Sequence, residues 1–383
     1  MNICIISPRY PYKDNMEFIF VKKLVDEWAK MGHRCVVVTC LSLTTYLRGR
    51  IVYKPKHYCY EVSPGNTVDV YTPRSITTKL KWHGVSLDSY IETRVIERQL
   101  NSINIEFDFI YCHFVSSALK GFRYAYKHNV PFYFATGESE IGRMLKPYFS
   151  FTWENFCSYT SGVVAVSSKN KNEAAMMGYI NEHKCSIFPN ATDTNLFRPL
   201  DRAVSREQLG LPQDAFIVSC VGSFCERKGQ NRLLEAVRML KKYHIKILFI
   251  GSDAIVESFK LEGDEILFKG TVENVELSRY LCASDIFCLP TLAEGCCNAI
   301  IEALACGLPV VSSNLSFNWD VLDETNSILV NPNVIEEISD AIRKLYVDAA
   351  KRNALCKGAL LKAKKLDIKV RSNMILEYVM NNI

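Results

Sequence analysis

The 383-residue chain contains no run of about 18 apolar residues, and so nothing that reads as a membrane-spanning helix. It lacks the basic stretch that opens a secretory signal: Met1-Asn2-Ile3-Cys4-Ile5-Ile6 breaks at Ser7-Pro8-Arg9 and reads as a first β-strand. No Asp-x-Asp pair occurs, so one arrangement of carboxylates that holds a divalent metal is missing, and no metal is expected. Glycine is absent from the turn after the first strand, Ser7-Pro8-Arg9-Tyr10-Pro11-Tyr12, which leaves a phosphate cradle there unsupported. Also absent is any Cys-x-x-Cys pair. Of the 15 cysteines, Cys4, Cys35, Cys112, Cys220 and Cys288 stand singly inside apolar runs, where thiols act as small hydrophobes. This pattern argues against a disulfide scaffold and makes a reducing cytoplasm the expected compartment.

What is present suits a folded chain with two full cores. Hydrophobic residues make up 48% and charged residues 23%, which excludes general disorder. Short β-branched or aromatic runs alternate with amphipathic stretches, the mark of βαβ units and an α/β fold class. Strands are expected at residues 2–6, 34–39, 109–112, 131–135, 162–166 and 185–189. A second series follows at 216–222, 246–250, 266–268, 286–289, 309–312 and 327–330. Helices are expected at 17–31, with Leu24, Trp28 and Met31 on one face, and at 230–242, 275–283, 298–306 and 334–346. Two doubly wound, Rossmann-like domains result, over residues 1–189 and 190–367, with a last helix at 368–379.

The net charge of +5 is local. Between residues 46 and 83, Arg48, Arg50, Lys54, Lys56, Arg74, Lys79 and Lys81 face only Glu61 and Asp69, with Tyr46, Tyr53, Tyr58, Tyr60, Tyr71 and Trp82 interleaved. Two readings stay open: a solvated, irregular loop face, or a surface for anionic lipid headgroups or a lipid-diphosphate acceptor. No nucleic-acid motif accompanies the segment, and nucleic acid is not an expected partner.

The most informative stretch runs from Glu294 to Ser313. Glu294 lies in a loop after an apolar strand, and Glu302 lies just inside the following helix. Loops at the carboxyl ends of strands are where open α/β sheets bind ligands, and a helix N-terminus favours phosphate. A plain amphipathic helix accounts for Ala299, Ile300, Ala303 and Leu304, with Gly307 and Pro309 as its end, but leaves Glu294-Gly295 unexplained. Upstream, the 216–222 strand leads through Ser223-Phe224-Cys225-Glu226-Arg227-Lys228-Gly229 into a helix. A cation there opposes the helix dipole unless an anion, such as a diphosphate, sits beside it.

The Glu294-x7-Glu302 spacing, the trailing Ala305-Cys306-Gly307-Leu308-Pro309-Val310-Val311 and the Lys228-Gly229 pair resemble the family-four retaining glycosyltransferases, the glycosyl transferases group 1 of GT-B fold. The resemblance implies two Rossmann-like domains facing across a cleft, the first for the acceptor and the second for the nucleotide sugar. The last helix would return to the first domain. In that family's pattern Lys228 neutralises the diphosphate and Glu302 binds the ribose. Glu294, with Gly295 and the N–H groups of Cys296, Cys297 and Asn298, holds the sugar. Gly222, Ser223, Arg227, Gly251, Phe268 and Lys269 would complete the donor site. Relatives usually carry an arginine where this chain has Ser223, and Phe-Gly or Phe-Pro where it has Cys296-Cys297.

On the acceptor side, His113-Phe114 resembles the family's His-Phe pair, and Arg9 is a further cleft candidate. Many relatives place a histidine-glycine pair where Gly137-Glu138 stands here, so Glu138 or Glu140 is expected to meet substrate instead, against a solvated loop. Asn190 and Asp193 lie in the linker match. The implied reaction transfers a hexosyl group, with UDP the expected nucleotide, to a glycan or lipid-linked oligosaccharide in surface polysaccharide biosynthesis. It needs no cofactor and no metal, and the protein would sit in the cytoplasm or on the inner face of the plasma membrane. The competing readings are a nucleotide-sugar epimerase of the same fold and a non-catalytic nucleotide-sugar-binding homologue.

Overall fold

Residues 1–13, 15, 17–82, 85–139, 152–253 and 260–382 are described by the structure, a computed structural model. They form two compact units, Met1–Phe188 with Ser372–Ile383, and Pro189–Arg371.

The first unit is built on an eight-stranded sheet. Its order is Cys185–Ile187, Gly162–Ala165, Phe132–Thr136, Phe109–His113, Asn2–Ile6, Arg34–Val38, Asn66–Tyr71 and His57–Ser63. All neighbours are parallel except the last pair, an antiparallel hairpin. The central strands are apolar without alternation because both sheet faces are covered. On one face Cys4, Ile6, Val36, Val38 and Cys112 pack with Ile96 and Leu100 of helix Leu87–Ser102 and Phe122 of helix Val115–His128. On the other, Ile3, Ile5, Val37 and Tyr111 meet Leu24 and Trp28 of helix Ile19–Lys30 and Ile375, Leu376 and Val379 of helix Ile368–Met380. Trp28 Nε1 donates to the Ser372 carbonyl at 3.1 Å and Tyr133 Oη to that of Val379 at 3.1 Å, so the polar tips of two buried rings are satisfied by the C-terminal helix.

The segment that reads as an irregular face contains regular structure. Tyr58 and Tyr60 point inward from His57–Ser63 while His57, Cys59 and Glu61 point out, the period-two pattern of a half-buried strand. Pro64-Gly65, with Gly65 at φ 80°, turns the chain into Asn66–Tyr71. Tyr60 Oη bonds Asp26 at 2.7 Å and the Tyr10 hydroxyl at 2.6 Å, which ties the hairpin to helix Ile19–Lys30. Beyond it lie two pairs of two-residue strands, Leu41–Ser42 with Arg74–Ser75 and Lys81–Trp82 with Val85–Ser86, and the short helix Leu43–Leu47. His83 lies outside the described residues.

The second unit has six parallel strands in the order Ile266–Gly270, Lys246–Ile250, Ile217–Val221, Ile286–Leu289, Val310–Ser313 and Ser327–Val330. Numbered along this unit that is 3-2-1-4-5-6, the doubly wound order whose ligands bind where the first and fourth strands part. Buried Asp285 holds these two strands in register from below. It accepts from the Ile217 N–H at 2.8 Å, Arg206 Nη2 at 2.8 Å and Arg202 Nη1 at 2.6 Å.

Helix Ala349–Lys365 has no counterpart in the sequence reading, because Leu355, Ala359 and Ala363 are its only buried apolar residues and give a faint stripe. The glycine within this helix has a steric cause: a Cβ on Gly358 would lie 1.9 Å from the Thr325 carbonyl oxygen. Alanine improves helix propensity by about 1 kcal/mol, but overpacking costs about 1–3 kcal/mol and at this distance should win. Gly358→Ala is therefore expected to lower unfolding stability by about 2 kcal/mol in urea or thermal melts. A stabilised variant would contradict the close approach.

Candidate functional site

The site is assembled from the loops leaving Ile217–Val221 and Ile286–Leu289. Gly222 (φ 148°) and Gly251 (φ 154°) cross so closely that a Cβ on Gly251 would stand 2.1 Å from the Gly222 oxygen. A Cβ on Gly222 would lie 3.3 Å from Lys228 Cε, so the lysine stem runs along this bare backbone. The chain then makes a 3-10 turn, Glu226–Lys228, and enters helix Gln230–Arg238 through Gly229 at φ 80°. A side chain at Gly229 would meet the Pro290 oxygen at 2.5 Å, which shows how tightly the two loops are pressed together. Arg232 Nη2 donates to that same oxygen at 2.9 Å, and Leu292 N–H donates to the Arg227 oxygen at 2.8 Å.

At the centre is Glu294, 9% exposed. Its Oε1 accepts from Arg227 Nη1 at 2.7 Å and from Thr291 Oγ1 at 2.9 Å, and lies 2.8 Å from Lys228 Nζ. Arg227 Nη1 also donates to the Ala293 oxygen at 2.5 Å. Burial would lower the pKa of Lys228, but Cys297 and Glu294 outweigh it and hold the ammonium above the ordinary lysine value. Cys297 is itself raised, mainly by burial, so near neutral pH Glu294 is the charge that counts. One carboxylate between two cations leaves the cluster one positive charge.

Helix Asn298–Ala305 begins beside this cluster, with Cys297 as its N-cap residue and Cys297 Sγ 4.0 Å from Lys228 Nζ. The Cys296 oxygen accepts from Asn190 Nδ2 at 3.0 Å, and burial pushes the Cys296 thiol up to about 12. Gly295 is buried between them. The buried Asn298 Oδ1 and Gln230 Oε1, each at the start of a helix, have no hydrogen-bond partner among the described residues, the kind of orphan that water or a ligand normally satisfies. Glu302 lies one turn into the helix and is partly buried. Ser223 is exposed, Phe268 packs on Tyr280 at 4.8 Å, and Lys269 Nζ sits 5.9 Å over the Phe224 ring. The structure thus gathers Glu294, Cys297 and Gly222 around Lys228, with Arg227 joined to the group through Glu294. Thr291, fully buried behind Glu294, carried no signal in the sequence.

The first unit presents a different picture. Glu138 is 8% exposed, and its oxygens are taken up by the protein. Oε1 accepts from the Val115 N–H at 2.9 Å, at the start of helix Val115–His128, and Oε2 accepts from Thr136 Oγ1 and the Gly137 N–H, both at 2.9 Å. The carboxylate serves as the anion at a helix N-terminus, a structural employment. A Cβ on Gly137 would lie 3.2 Å from both Val166 methyl groups, a tight fit that suits glycine there. His113 is buried among Phe20 (5.1 Å between centroids) and Phe114 (4.8 Å). Arg9 pairs with Glu17 and lines a polar cavity of about 180 Å³ with Ser42, Lys54, Thr72 and Glu92. Lys54 is buried, donates to the Tyr10 oxygen, and has its pKa lowered by burial. Glu140 lies outside the described residues.

Removing a buried charged acceptor strands its donors at about 1–3 kcal/mol. Glu138→Ala is expected to cost about 2–3 kcal/mol of stability in thermal or urea unfolding. An unchanged melt would deny the capping role.

Residues 215–348 match the family model described as Glycosyl transferases group 1. A putative teichuronic acid biosynthesis glycosyltransferase, TuaC, of Bacillus subtilis (strain 168) is 25% identical over 294 residues, covering 74% of this chain and 72% of its own. An Escherichia coli UDP-Gal:alpha-D-GlcNAc-diphosphoundecaprenol alpha-1,3-galactosyltransferase is 26% identical over 201 residues, 49% of this chain and 52% of its own. Other curated relatives are likewise matched over about half their length. The crystal structure of Anabaena Alr3699/HepE in complex with UDP and glucose superposes with a TM-score of 0.71 over 99% of each chain at 18% identity, a likeness of fold. Residues 215–348 are thus similar to the glycosyl transferases group 1, and the chain has the fold of the GT-B structures.

Proposed function

We propose that the chain is a retaining hexosyltransferase that uses a nucleoside-diphosphate sugar, UDP-linked in the first instance, and delivers the sugar to a glycan or lipid-linked oligosaccharide of a surface polysaccharide. The observation that carries this reading is the Arg227–Lys228–Glu294 cluster, with its surplus positive charge, on the two loops where the doubly wound sheet of the second unit divides. Lys228 beside the bare Gly222 backbone suits a diphosphate. Glu294, the N–H groups of residues 296–298 and the orphan Asn298 Oδ1 suit sugar hydroxyls, and Glu302 suits those of ribose. Support for UDP comes from the HepE complex and from the galactosyltransferase, whose name also specifies a lipid-diphosphate acceptor.

In the proposed reaction the acceptor hydroxyl attacks the anomeric carbon on the face from which the diphosphate departs. The bond from carbon to phosphate oxygen breaks, the new glycosidic bond forms, and the hydroxyl proton passes to the leaving phosphate. The protein's part is electrostatic: Lys228 and the helix N-termini stabilise charge growing on the diphosphate, without a metal.

The first unit is proposed to hold the acceptor, with the polar cavity beside Arg9 and Lys54 as the place for a hydroxylated group. It is also proposed to rest on an anionic membrane at the cytoplasmic face. Leu47 is 80% exposed and Leu80 60%, and Thr44 and Thr45 bond Thr77, so these two segments are adjacent. Arg48, Arg50 and Lys79 flank them, which joins apolar side chains to cations as an anionic lipid surface requires.

Glu294→Ala should reduce sugar transfer by about a hundredfold or more while UDP binding by calorimetry is retained; unchanged turnover would sink the assignment. Lys228→Ala should weaken UDP binding by about tenfold or more, and equal affinity in both proteins would contradict its role. Release of an altered sugar without any acceptor would favour an epimerase. For the membrane proposal, co-sedimentation with phosphatidylglycerol vesicles should fall as salt rises from about 0.05 to 0.5 M. Binding that ignored salt and survived charge removal in residues 48–81 would overturn electrostatic docking.

A further inference from the structure

We infer that Arg227 is the standing counter-ion of Glu294, and that its presence is what leaves Lys228 available to a ligand diphosphate. The inference rests on the donor-site reading above and adds to it a division of labour between two adjacent cations.

Both cations touch the same oxygen, Glu294 Oε1, at 2.7 Å for Arg227 and 2.8 Å for Lys228. Their tethers differ. Both hydrogens of Arg227 Nη1 are engaged, one by Glu294 and one by the Ala293 oxygen at 2.5 Å. The Arg227 backbone oxygen in turn accepts from the Leu292 N–H. Side chain and main chain of Arg227 are therefore both fastened to residues 292–294 and follow the Glu294 loop. Lys228 instead extends along Gly222, with Nζ 3.6 Å from where a Cβ of that glycine would stand, at the carboxyl end of the first strand of the unit. An ammonium is a compact charge with three donors, so it can turn toward a phosphate while a planar guanidinium keeps its paired geometry.

Charge counting gives the consequence. With Arg227, the cluster presents one net positive charge beside Gly222. Without it, Lys228 and Glu294 cancel, and an incoming diphosphate meets a neutral pair whose carboxylate competes for the only ammonium. Arg227 thereby acts on diphosphate affinity as a positioning residue, through Glu294 and with no contact to phosphate. Ser223 is uncharged, so Arg227 and Lys228 are the two cations of the turn from Ser223 to Gly229.

A double-mutant cycle read by calorimetry tests this. UDP and GDP are titrated into the wild-type chain and the cycle is run with the one that binds, uridine or guanosine serving as the matched phosphate-free probe. Arg227→Ala is expected to weaken the nucleoside diphosphate about tenfold, with the nucleoside changed by less than about twofold and Arg227→Lys within about threefold of wild type. In the Glu294→Gln background the same Arg227→Ala change should cost less than about twofold, because the competing carboxylate is gone. An equal loss in both backgrounds would show that Arg227 acts on the diphosphate without Glu294 and overturn the inference. An equal loss for nucleoside and diphosphate would show a collapsed site and overturn it too. Failure of the folded wild-type chain to bind either diphosphate would instead remove the donor-site reading, and this inference with it.

Discussion

A nearly buried carboxylate shared by two cations is the interaction on which the second unit turns. Taking Glu294 out of water costs several kcal/mol unless its charge is matched, and removing a partner from such a pair is strongly destabilising. Lys228, Arg227 and Thr291 supply the match from two different loops, so the loops are held together at the point where the sheet's connections run in opposite directions. Asp285 plays the complementary part at the amino ends of the same two strands, through Ile217, Arg202 and Arg206. The first and fourth strands are thus pinned by a buried carboxylate at either end. What differs is accessibility: Asp285 is divided among fixed donors, whereas the Glu294 cluster adjoins the bare backbone of Gly222 and the start of a helix.

This arrangement explains why the glycines of the site are not interchangeable with other turn glycines. Gly229 presses on the Pro290 oxygen, and Gly251 crosses Gly222. A side chain at either place would push one loop from the other by more than the roughly 0.5 Å that a preorganised constellation tolerates. The hydrogen bonds from Arg232 to the Pro290 and Glu226 oxygens then fix the turn from behind. Steric closeness sets the distance between the loops, and electrostatics uses it.

Much of this was legible in the residues. Continuous apolar runs gave the parallel strands because each is covered on both faces, as with Ile3 to Ile6, and Glu294, Lys228 and Gly229 stood out because a loop carboxylate and a cation before a helix have no packing purpose. The failures have physical causes. The hairpin at residues 57–71 was obscured by the cations that flank it in the chain, although Tyr58 and Tyr60 alternate correctly with the outward His57, Cys59 and Glu61. Helix Ala349–Lys365 was hidden because three buried residues suffice to hold it. Glu138 reads as a substrate group from its loop position, but its work depends on the Val115 N–H, 23 residues away, and no local pattern records that. Thr291 bonds Glu294 only three residues on, but a lone threonine in a loop has no pattern to mark it.

The cysteines complete the electrostatic argument. Cys297 stands 4.0 Å from the Lys228 ammonium and beside the N–H groups of Ala299 and Ile300, surroundings that would favour a thiolate. Burial wins over them, and the thiol pKa is raised. That outcome matters for the site, since a thiolate there would cancel Lys228 and repel any phosphate at the helix start. Cys220, beneath the same lysine, is pushed up to about 12 by burial, and Cys296 likewise. Cys297 and Cys220 beside the ammonium, and Cys296 next in the chain, therefore act as small neutral packing groups. The lysine's charge is set against Glu294, Glu294 is balanced in part by Arg227, and the remaining positive charge faces the open end of the sheet.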